Sequence, residues 1–349
     1  MSSHIGQRKD AHLDLCQDGQ VEASSPSLGL GRYTLEYDAL PEVDLEDVDL
    51  SVTLLGKRLT APLIIGAMTG GTPRARQINQ RLARAAARVG VGMALGSQRA
   101  MIADPSLTPT YKVRDAAPEL PLLFGNVGAV QFNMGITADQ VADAIQAVEA
   151  DALNLHLNPL QEAIQPEGDT RFCGLTDKLR LALAALAPLP CLVKEVGAGI
   201  GPRTAGKLAD LPLAGVECSG TGGTSWARVE SMRAMAGSAA QSAGRVLAGF
   251  GVPTDRSILN CRGARADWTI VASGGVRTGL DVAVALALGA DAAAMARPLL
   301  VAAVESEETV VNTLESVIYQ LRVICFCTGA RDIAALKQCR LSPSPGRND

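Results

Sequence analysis

The sequence predicts an α/β fold, a (β/α)8 TIM barrel with an N-terminal extension. From residue 61 onward, short apolar runs alternate with helical patterns. Hydrophobic residues make up 47% of the 349-residue chain but aromatics only 3%, and there are 35 glycines. Small aliphatic side chains suit helices packed on a sheet, and many glycines suit many tight loops. Regular alternation indicates parallel strands, and eight repeats favour a closed barrel over an open sheet of five or six strands.

The predicted strands are apolar runs that end in glycine or polar residues. In chain order they are Leu63–Ala67, Gly92–Leu95, Leu122–Gly125, Ala152–Leu157, Cys191–Val196, Gly215–Cys218, Thr269–Ala272 and Ala292–Ala296. Helical patterns fill the intervals, over Pro73–Val89, Thr137–Ala150, Gly174–Ala187, Pro202–Ala209, Thr254–Arg265, Thr278–Leu288 and Glu305–Cys325. We therefore assign residues 61–340 to the barrel, 1–60 to an N-terminal extension that contributes to the site, and 341–349 to a flexible tail.

Charge and hydropathy argue against several functional classes. The formal net charge of -4 comes from interspersed basic and acidic residues, which disfavours a nucleic-acid partner. The longest uncharged apolar stretch, Leu181–Val193, is too short to span a membrane, and no apolar export signal opens the chain. Eight cysteines are scattered mostly through apolar runs, which is typical of buried free thiols. We expect a soluble cytoplasmic protein without disulfides.

Polar motifs follow the predicted strands, where barrel enzymes place their chemistry. After strands six, seven and eight stand the sequences SGTGGTSW (219–226), ASGGVRTG (272–279) and MARPL (295–299). Small residues let backbone N–H groups converge on an anion near a helix N-terminus. Thr224, Arg277 and the backbone of Gly274, Gly275 and Ala296 are therefore candidates to bind a phosphate monoester. Either glycine-rich turn alone is more often an ordinary connection, whereas two on consecutive strands favour a phosphate site.

The segment His156–Asp169, HLNPLQEAIQPEGD, concentrates polar groups at the end of the fourth strand. A period of two places His156 and Asn158 on one face, and Pro159 should end the strand and leave Gln161 and Glu162 in the loop beyond it. Glu162 is a candidate Mg²⁺ ligand, because Mg²⁺ is usually bound by one or two carboxylates together with substrate phosphates and water. Gln161 is a candidate proton-handling partner. The alternative is a solvated loop beside a satisfied buried histidine.

Other polar residues at strand ends are candidates to line a ring-shaped ligand. Lys194 ends a buried strand and should meet an anion or an electron-rich ring, because an unpaired buried ammonium is unfavourable. Its neighbour Glu195 faces the opposite way and is expected to pair with a helix. A flat ring is expected beside Met68, Thr69, Ser97 and Asn126.

Basic residues near the N-terminus are candidates to bind a diphosphate. Arg8, Lys9 and His12 lie in the sequence RKDAH, and Arg99 follows the second strand in GSQR. Arginine binds phosphate as a bidentate fork and lysine as a point charge. Taken alone, the RKDAH segment also fits an ordinary charged terminus.

The motifs together resemble those of the type 2 isopentenyl-diphosphate isomerases. They are RKDAH, APLIIGAMTGGT, GSQRA, LLFGNVGA, HLNPLQEAIQPEGD, VKEVGAGI, GTGGTSWARVE and ASGGVRTGLDVAVALALGADAAAMARPL, in order from Arg8 to Pro298. SGGVRTG with ALGAD is shared with many FMN barrels, whereas HLNPLQE followed by QPEGD is distinctive of this family. The segment Met235–Phe250 matches only loosely.

The resemblance implies an FMN-dependent enzyme that interconverts isopentenyl diphosphate and dimethylallyl diphosphate by a 1,3-allylic proton shift. It implies Mg²⁺, NADPH or another reductant for the flavin, and a homo-tetramer or homo-octamer. Because the reaction has no net redox change, reduced FMN is expected to act as an acid–base group opposite Gln161. Glu162 would hold the metal. The substrate would meet Arg8, Lys9, His12, Ser97, Gln98, Arg99, His156, Asn158 and Gln161. FMN would meet Ala67, Met68, Thr69, Ser97, Asn126, Lys194, Thr224, Gly274, Gly275, Val276, Arg277, Ala296 and Arg297.

Three alternatives fit the same scaffold less well. An FMN-dependent 2-hydroxy-acid oxidase needs a histidine base late in the barrel, but the histidines are His4, His12 and His156. An enzyme like IMP dehydrogenase needs a mobile cysteine nucleophile after the sixth strand, whereas Cys218 lies within an apolar strand and is expected to be a buried thiol. A non-enzymatic flavin-binding protein would leave the Gln161–Glu162 pair without a purpose.

Overall fold

Eight parallel strands close into a barrel in a computed structural model that describes residues 2–17, 20–22 and 29–344. The strands are β1 (Leu63–Ile65), β2 (Gly92–Ala94), β3 (Leu123–Gly128), β4 (Ala152–Leu157), β5 (Cys191–Glu195), β6 (Gly215–Glu217), β7 (Thr269–Ala272) and β8 (Ala292–Met295). Each strand pairs with the next in the chain, and β8 pairs with β1. The barrel prediction is confirmed, and the bounds of β4 and β7 are those the sequence predicts.

Seven outer helices lie within three residues of their predicted bounds. They are Pro73–Val89, Ala138–Ala147, Leu175–Leu186, Pro202–Ala209, Thr254–Ala264, Gly279–Ala287 and Glu307–Cys327. Local capping sets several of these ends. Thr72 accepts a hydrogen bond from the Ala75 N–H, and Gly90 ends the same helix in the left-handed conformation. Thr137 and Gln140 form a reciprocal capping box at the start of the next helix.

Further helices were not predicted from the sequence. They are Ser2–Gln17, Arg99–Ala103, Pro159–Ile164, Trp226–Arg233, Ala239–Val246, Arg297–Glu305 and Ile333–Leu336. The expectation that Gln161 and Glu162 lie in a loop is therefore wrong. Pro159 ends β4 as expected, but it also occupies the first position of a helix, where its fixed φ is favourable and its missing N–H is not needed.

One end of the barrel is closed by apolar packing. Leu54 and Leu59, from a hairpin of Val52–Leu54 and Lys57–Leu59, pack against Ile64, Phe124 and Leu192 inside the barrel. The same inner cluster contains the first residues of β4 and β8, which places the hairpin at the N-terminal ends of the strands. The opposite end, where the predicted motifs lie, remains open to hold a ligand.

Part of the predicted tail is not free. Leu341–Pro343 pairs antiparallel with Tyr33–Leu35 of the N-terminal extension, and the Ser344 N–H donates to the Arg32 carbonyl at 2.7 Å. The backbone of Tyr33–Leu35 supplies the hydrogen-bonding partner for this strand. Because that partner lies about 300 residues away in the chain, the local composition of the tail does not reveal it. The flexible-tail assignment is therefore wrong for residues 341–344, and 345–349 lie outside the described residues.

Within the described part of the chain, one helix is long and apolar enough to cross a membrane by length and composition alone. It is Glu307–Cys327. Its buried residues include Val310, Leu314 and Leu321, which belong to the main core between barrel and helices.

All eight cysteines are free, and Cys218 is buried. Hydrogen bonding to Cys261 and burial raise the pKa of Cys218, so its thiol does not suit a nucleophile.

Candidate active site

A cavity of about 230 Å³ lies at the C-terminal ends of the barrel strands. Groups from the ends of all eight strands, together with the N-terminal helix Ser2–Gln17, form its wall. Nearly every residue that the sequence assigns to the site lines it: Arg8, Lys9, His12, Ala67, Met68, Thr69, Ser97, Arg99, Asn126, His156, Asn158, Gln161, Glu162, Lys194, Thr224, Gly274, Gly275, Val276, Arg277, Ala296 and Arg297. The fold thus brings together residues separated by almost 300 positions.

Gln98 is the exception among these residues. Its side chain is fully buried in the barrel wall, where Oε1 accepts from the Asn126 N–H at 2.8 Å and Nε2 donates to the Ala144 carbonyl at 3.1 Å. Ser97 lines the cavity, whereas Gln98 lies at the N-cap of the helix Arg99–Ala103 and turns its side chain away from the cavity. Gln98 supports the strand β3, which carries Asn126, and its assignment as a substrate-binding residue is therefore wrong.

The N-terminal helix covers the mouth of the barrel. Asp10 accepts from Thr72 Oγ1 at 3.0 Å, Asp14 pairs with Arg74 at 2.6 Å, and the Cys16 carbonyl accepts from Arg297 Nε at 2.9 Å. Leu13 is buried. These contacts place Arg8, Lys9 and His12 in the wall of the cavity at this end of the barrel.

Lys9 brings a half-buried positive charge to the cavity. Its Nζ donates to the Ser97 carbonyl at 3.0 Å and to the Tyr111 hydroxyl at 2.6 Å, both neutral acceptors. Among the described residues, no carboxylate lies within ion-pair distance of this ammonium. Burial, followed by the charge of Arg8, lowers the pKa of Lys9 to about 7. A buried cation without a counterion is unfavourable unless an anion arrives, which makes this end of the cavity suited to an anionic ligand.

Glu230 is a central residue that the sequence analysis missed. Its Oε1 accepts from Gln161 Nε2 and lies 3.0 Å from both that atom and His12 Nε2. Oε2 pairs with Arg233. Burial raises the pKa of Glu230, but the hydrogen bonds and charges of its partners outweigh burial and leave the pKa lowered. Glu230 is therefore an ionised acceptor that orients the Gln161 amide.

His156 faces the cavity in its neutral form. Asn126 Nδ2 donates to the Leu95 carbonyl, so Asn126 Oδ1 is free to accept from His156 Nδ1 at 2.7 Å. Burial, followed by the charges of Lys194, Lys9 and Arg99, lowers the pKa of His156 to about 3. The partner thus selects the tautomer with hydrogen on Nδ1, which leaves Nε2 as an acceptor.

Glu162 is buried at the start of the helix that follows β4. Its Oε1 accepts from Asn158 Nδ2 at 2.8 Å and its Oε2 from the Asp169 N–H at 2.7 Å. Burial raises the pKa of Glu162. The buried Asn158 Oδ1 has no partner. Within the described residues, no group of three or more His, Cys, Asp or Glu side chains is arranged to hold a metal ion, so a cation here needs oxygen ligands from a substrate as well.

Arg99 lies beside this carboxylate. Its guanidinium pairs with Asp169 Oδ2 at 2.5 Å, and the same oxygen accepts from Gln131 Nε2 at 2.9 Å. Arg8 lies 3.9 Å from Glu167 on the same loop. The QPEGD loop therefore collects the predicted diphosphate-binding arginines on the side of the cavity that holds Glu162.

Glycine-rich backbone forms the opposite end of the cavity. A Cβ at Gly223 would lie 2.6 Å from the Gly275 N, and a Cβ at Gly274, which has a φ of 95°, would lie 2.1 Å from the Gly220 carbonyl oxygen. Only glycine fits two backbones this close together. The helix Arg297–Glu305 starts here without a side-chain cap at Ala296. Both features suit an anion bound by backbone N–H groups.

Two arginines at this end already hold a carboxylate. Arg277 and Arg297 each lie 2.8 Å from Glu22 Oε1. The backbone beside Glu22 is fixed to the glycine-rich loop, because the Ser225 N–H donates to the Val21 carbonyl at 2.8 Å. Burial raises the pKa of Glu22, but the two arginines outweigh it and leave the pKa lowered. No sequence motif points to this carboxylate.

Lys194 meets an anion inside the barrel, as the sequence predicts. Its Nζ lies 2.6 Å from Glu217 Oε1, which also accepts from Ser273 Oγ at 2.8 Å. Glu195 does not form the expected ion pair with a helix. Its Oε2 instead accepts three backbone N–H groups, from Gly197, Ala198 and Gly199. Glu195 thus stabilises the loop after β5.

Comparison with known proteins identifies the family. A family model described as FMN-dependent dehydrogenase matches residues 137–343. The isopentenyl-diphosphate delta-isomerase of Synechococcus sp. is 45% identical over 336 residues, which cover 96% of this chain and 96% of that protein. The isopentenyl-diphosphate delta-isomerase of Deinococcus radiodurans is 44% identical over 95% of this chain and 97% of its own length. The chain belongs to the isopentenyl-diphosphate delta-isomerase family.

Membership of the isopentenyl-diphosphate delta-isomerase family confirms the resemblance that the motifs carry. Solved structures of mandelate oxidase have the same fold. The oxidase with (S)-2-phenylpropionate has a TM-score of 0.65 at 18% identity and covers 98% of both chains. A variant with benzaldehyde has a TM-score of 0.66 at 20% identity and covers 97% of this chain and 98% of that one. At this identity the likeness concerns the barrel alone.

Proposed function

We propose that this protein interconverts isopentenyl diphosphate and dimethylallyl diphosphate by a 1,3-allylic proton shift that depends on FMN and Mg²⁺. One observation carries the proposal: a single cavity has two separate anion-binding ends, and Gln161 with its Glu230 acceptor lines the space that they share. One end suits the phosphate of a flavin nucleotide and the other a diphosphate. The carboxylate of a small hydroxy acid carries one charge, whereas this end offers the three cations Arg8, Lys9 and Arg99, which better match a diphosphate.

The residues present fit FMN. Thr224, Arg277, Arg297 and the close-packed glycine backbone suit its phosphate, while Lys194 lies deeper in the barrel. Thr69 Oγ1 is buried without a hydrogen-bond partner among the described residues, as expected for a group that awaits a ligand. The remaining proposed FMN contacts are Ala67, Met68, Ser97, Asn126, Gly274, Gly275, Val276 and Ala296.

The residues also fit a diphosphate with Mg²⁺. Arg8, Lys9 and Arg99 supply positive charge, and neutral His156 supplies polar contact. Glu162 supplies one carboxylate oxygen and Asn158 Oδ1 supplies an unpaired acceptor. Because Mg²⁺ keeps several waters and prefers substrate phosphate oxygens, one carboxylate is sufficient on the protein side. Binding energy from the diphosphate holds the small apolar part of the substrate in place for reaction.

Gln161 is the proposed catalytic residue. Bound reduced FMN supplies a ring nitrogen that can exchange a proton with the substrate. Glu230 accepts from the Gln161 amide nitrogen, and Asn158 Nδ2 donates to its oxygen at 3.0 Å, so both ends of the amide are fixed. An amide held in this way presents a defined donor and acceptor to the reacting carbon or to a water beside it.

An FMN-dependent oxidoreductase is the rival on the same barrel. An oxidase requires a histidine base late in the chain, and no histidine follows His156. The relatives at 43% to 45% identity are named as isomerases, and the oxidases share only the fold. The isomerase is therefore favoured by the site and by the relatives.

NADPH is the proposed reductant of the flavin. The proposed working form is a cytoplasmic homo-tetramer or homo-octamer that binds neither a membrane nor a nucleic acid. Support for an oligomer comes from Met235, Val246 and Phe250, which are large apolar side chains exposed on one segment of the surface. The dispersed surface charge supports the absence of a nucleic-acid partner. Native mass spectrometry and size-exclusion chromatography test the assembly.

The function is tested by anaerobic incubation of purified protein with isopentenyl diphosphate, Mg²⁺, FMN and NADPH, with each component omitted in turn. We expect dimethylallyl diphosphate only when all four are present, or when dithionite replaces NADPH. Oxidation of a 2-hydroxy acid by a protein that lacks isomerase activity would establish the rival function. Product formation without Mg²⁺ would contradict the proposed role of the metal but not the isomerase function.

A further inference from the structure

Tyr111 does not line the cavity, but its hydroxyl contacts Lys9, which does. The side chain is fully buried, and its ring packs so closely on Gly70 that a Cβ there would lie 2.0 Å from Tyr111 Cε1. The hydroxyl donates to the Ser97 carbonyl at 2.9 Å and accepts from Lys9 Nζ at 2.6 Å. A barrel residue thus binds the N-terminal helix through one buried oxygen.

The hydroxyl holds the Lys9 ammonium without neutralising it. Lys9 has two neutral acceptors, Tyr111 and the Ser97 carbonyl, and lines the cavity. An ammonium has three N–H donors, and these two acceptors use only two of them. The third N–H and the positive charge therefore remain available to an anion in the cavity. A carboxylate in place of the phenol would cancel that charge. The phenol instead fixes the position of the cation and leaves its attraction for an anion intact.

We propose that Tyr111 is a positioning residue that holds Lys9 on the cavity side of the N-terminal helix, so that the packed helix presents the cation to the substrate diphosphate. This inference rests on the proposed function for the identity of the anion. It assigns to Tyr111 a part in substrate binding, although the residue does not contact the cavity.

Removal of the hydroxyl separates this role from packing. In Tyr111→Phe the ring stays over Gly70, so the packing of the aromatic side chain is retained. The substitution removes both hydrogen bonds of the hydroxyl, the one from the Lys9 ammonium and the one to the Ser97 carbonyl, which keeps Lys9 Nζ as a donor. Hydrogen bonds to charged groups are strong enough for the KM for isopentenyl diphosphate to rise about tenfold or more. The kcat should stay within about twofold and FMN affinity should not change.

The test compares Tyr111→Phe with Tyr319→Phe, which removes a hydroxyl from an exposed tyrosine on an outer helix. The KM and kcat of reduced, FMN-loaded enzyme are measured for both, together with FMN affinity and thermal unfolding. Lys9→Met alone and combined with Tyr111→Phe complete a double-mutant cycle. We expect Tyr111→Phe to raise KM in the wild-type background and to have no further effect in Lys9→Met. An unchanged KM, or an equal rise in both backgrounds, overturns the proposal.

Protection of the N-terminal helix from trypsin provides a readout that does not depend on turnover. Inorganic pyrophosphate with Mg²⁺ should slow cleavage within residues 2–17 in the wild type and in Tyr319→Phe, but protect Tyr111→Phe much less. Equal protection of all three proteins would overturn the positioning role. If the wild type is protected but forms no dimethylallyl diphosphate, the proposed function fails while the inference about Tyr111 is still decided by the comparison.

Discussion

Replacement of Glu230 by Gln removes one buried negative charge from beneath the proposed reaction site. Gln161 Nε2 and His12 Nε2 each lie 3.0 Å from the oxygen that loses its charge. A hydrogen bond to a charged group contributes about 1.5–3 kcal/mol and a neutral one about 1 kcal/mol. Weakening of both bonds therefore costs about 1–4 kcal/mol in total, which corresponds to a fall of roughly 5- to 900-fold in kcat/KM if both bonds act in the transition state.

The assay for Glu230→Gln is initial-rate formation of dimethylallyl diphosphate by anaerobic, FMN-loaded enzyme. Glu167→Gln is the matched control, because Glu167 shares Arg233 with Glu230 but has a half-exposed side chain and does not contact Gln161. We expect the control to retain most of its activity and both variants to bind FMN normally. A kcat/KM within twofold of wild type for Glu230→Gln would refute the role of the carboxylate in orienting Gln161.

Four further outcomes follow from the site. Glu22→Gln should tighten FMN binding about threefold to tenfold, because the Glu22 carboxylate partly neutralises Arg277 and Arg297. A flavin fluorescence titration measures the affinity, and weaker binding by the variant would contradict this prediction. Glu162→Gln should lower kcat/KM by at least about 100-fold and abolish its Mg²⁺ dependence, with FMN affinity unchanged; retained Mg²⁺ dependence would argue for another ligand. Gln161→Asn should bind flavin normally but turn over far more slowly; near-normal kcat would exclude proton transfer through Gln161. For Lys9, whose pKa is lowered to about 7, kcat/KM should fall as pH rises through 7, and Lys9→Arg should remove that fall.

The sign of the pH prediction follows from the state of Lys9 in the free enzyme. Burial and Arg8 disfavour its charged form, so the amine loses its proton above pH 7 and no longer attracts a diphosphate. Arg8, Tyr111 and neutral His156 face it, and none of these supplies a negative charge at this pH. Arginine stays protonated at all working pH values. A flat profile through neutral pH in the wild type would contradict this assignment.

The barrel was predictable because its signals are local. Apolar runs such as β4 and β7 end at polar residues, and capping residues such as Thr72 and Thr137 start the outer helices. The site was predictable because strand ends of a barrel meet at one end, whatever their separation in the chain. Gln98 could not be separated from Ser97 in this way, because it begins the short helix Arg99–Ala103, which was not predicted from the sequence.

The missed features depend on contacts between distant parts of the chain. The N-terminal helix has little intrinsic amphipathic pattern and is stabilised by barrel contacts, including those of Asp10, Asp14 and Cys16. Glu230 pairs with His12 across 218 residues, and Lys9 reaches Tyr111 across 102. No local motif encodes such pairs. The sequence therefore predicts most of the residues that line the cavity but not the residues that orient them.

The central claim, that the flavin takes part in a proton shift without net redox change, is tested most directly in deuterated water. Reduced enzyme is incubated anaerobically with isopentenyl diphosphate and Mg²⁺ while flavin absorbance is followed, and the product is examined by NMR. We predict dimethylallyl diphosphate with solvent deuterium in the methyl group formed from the terminal methylene carbon, and flavin that stays reduced through many turnovers. Oxidation of the flavin in proportion to substrate consumed, or product without solvent deuterium, would contradict the account.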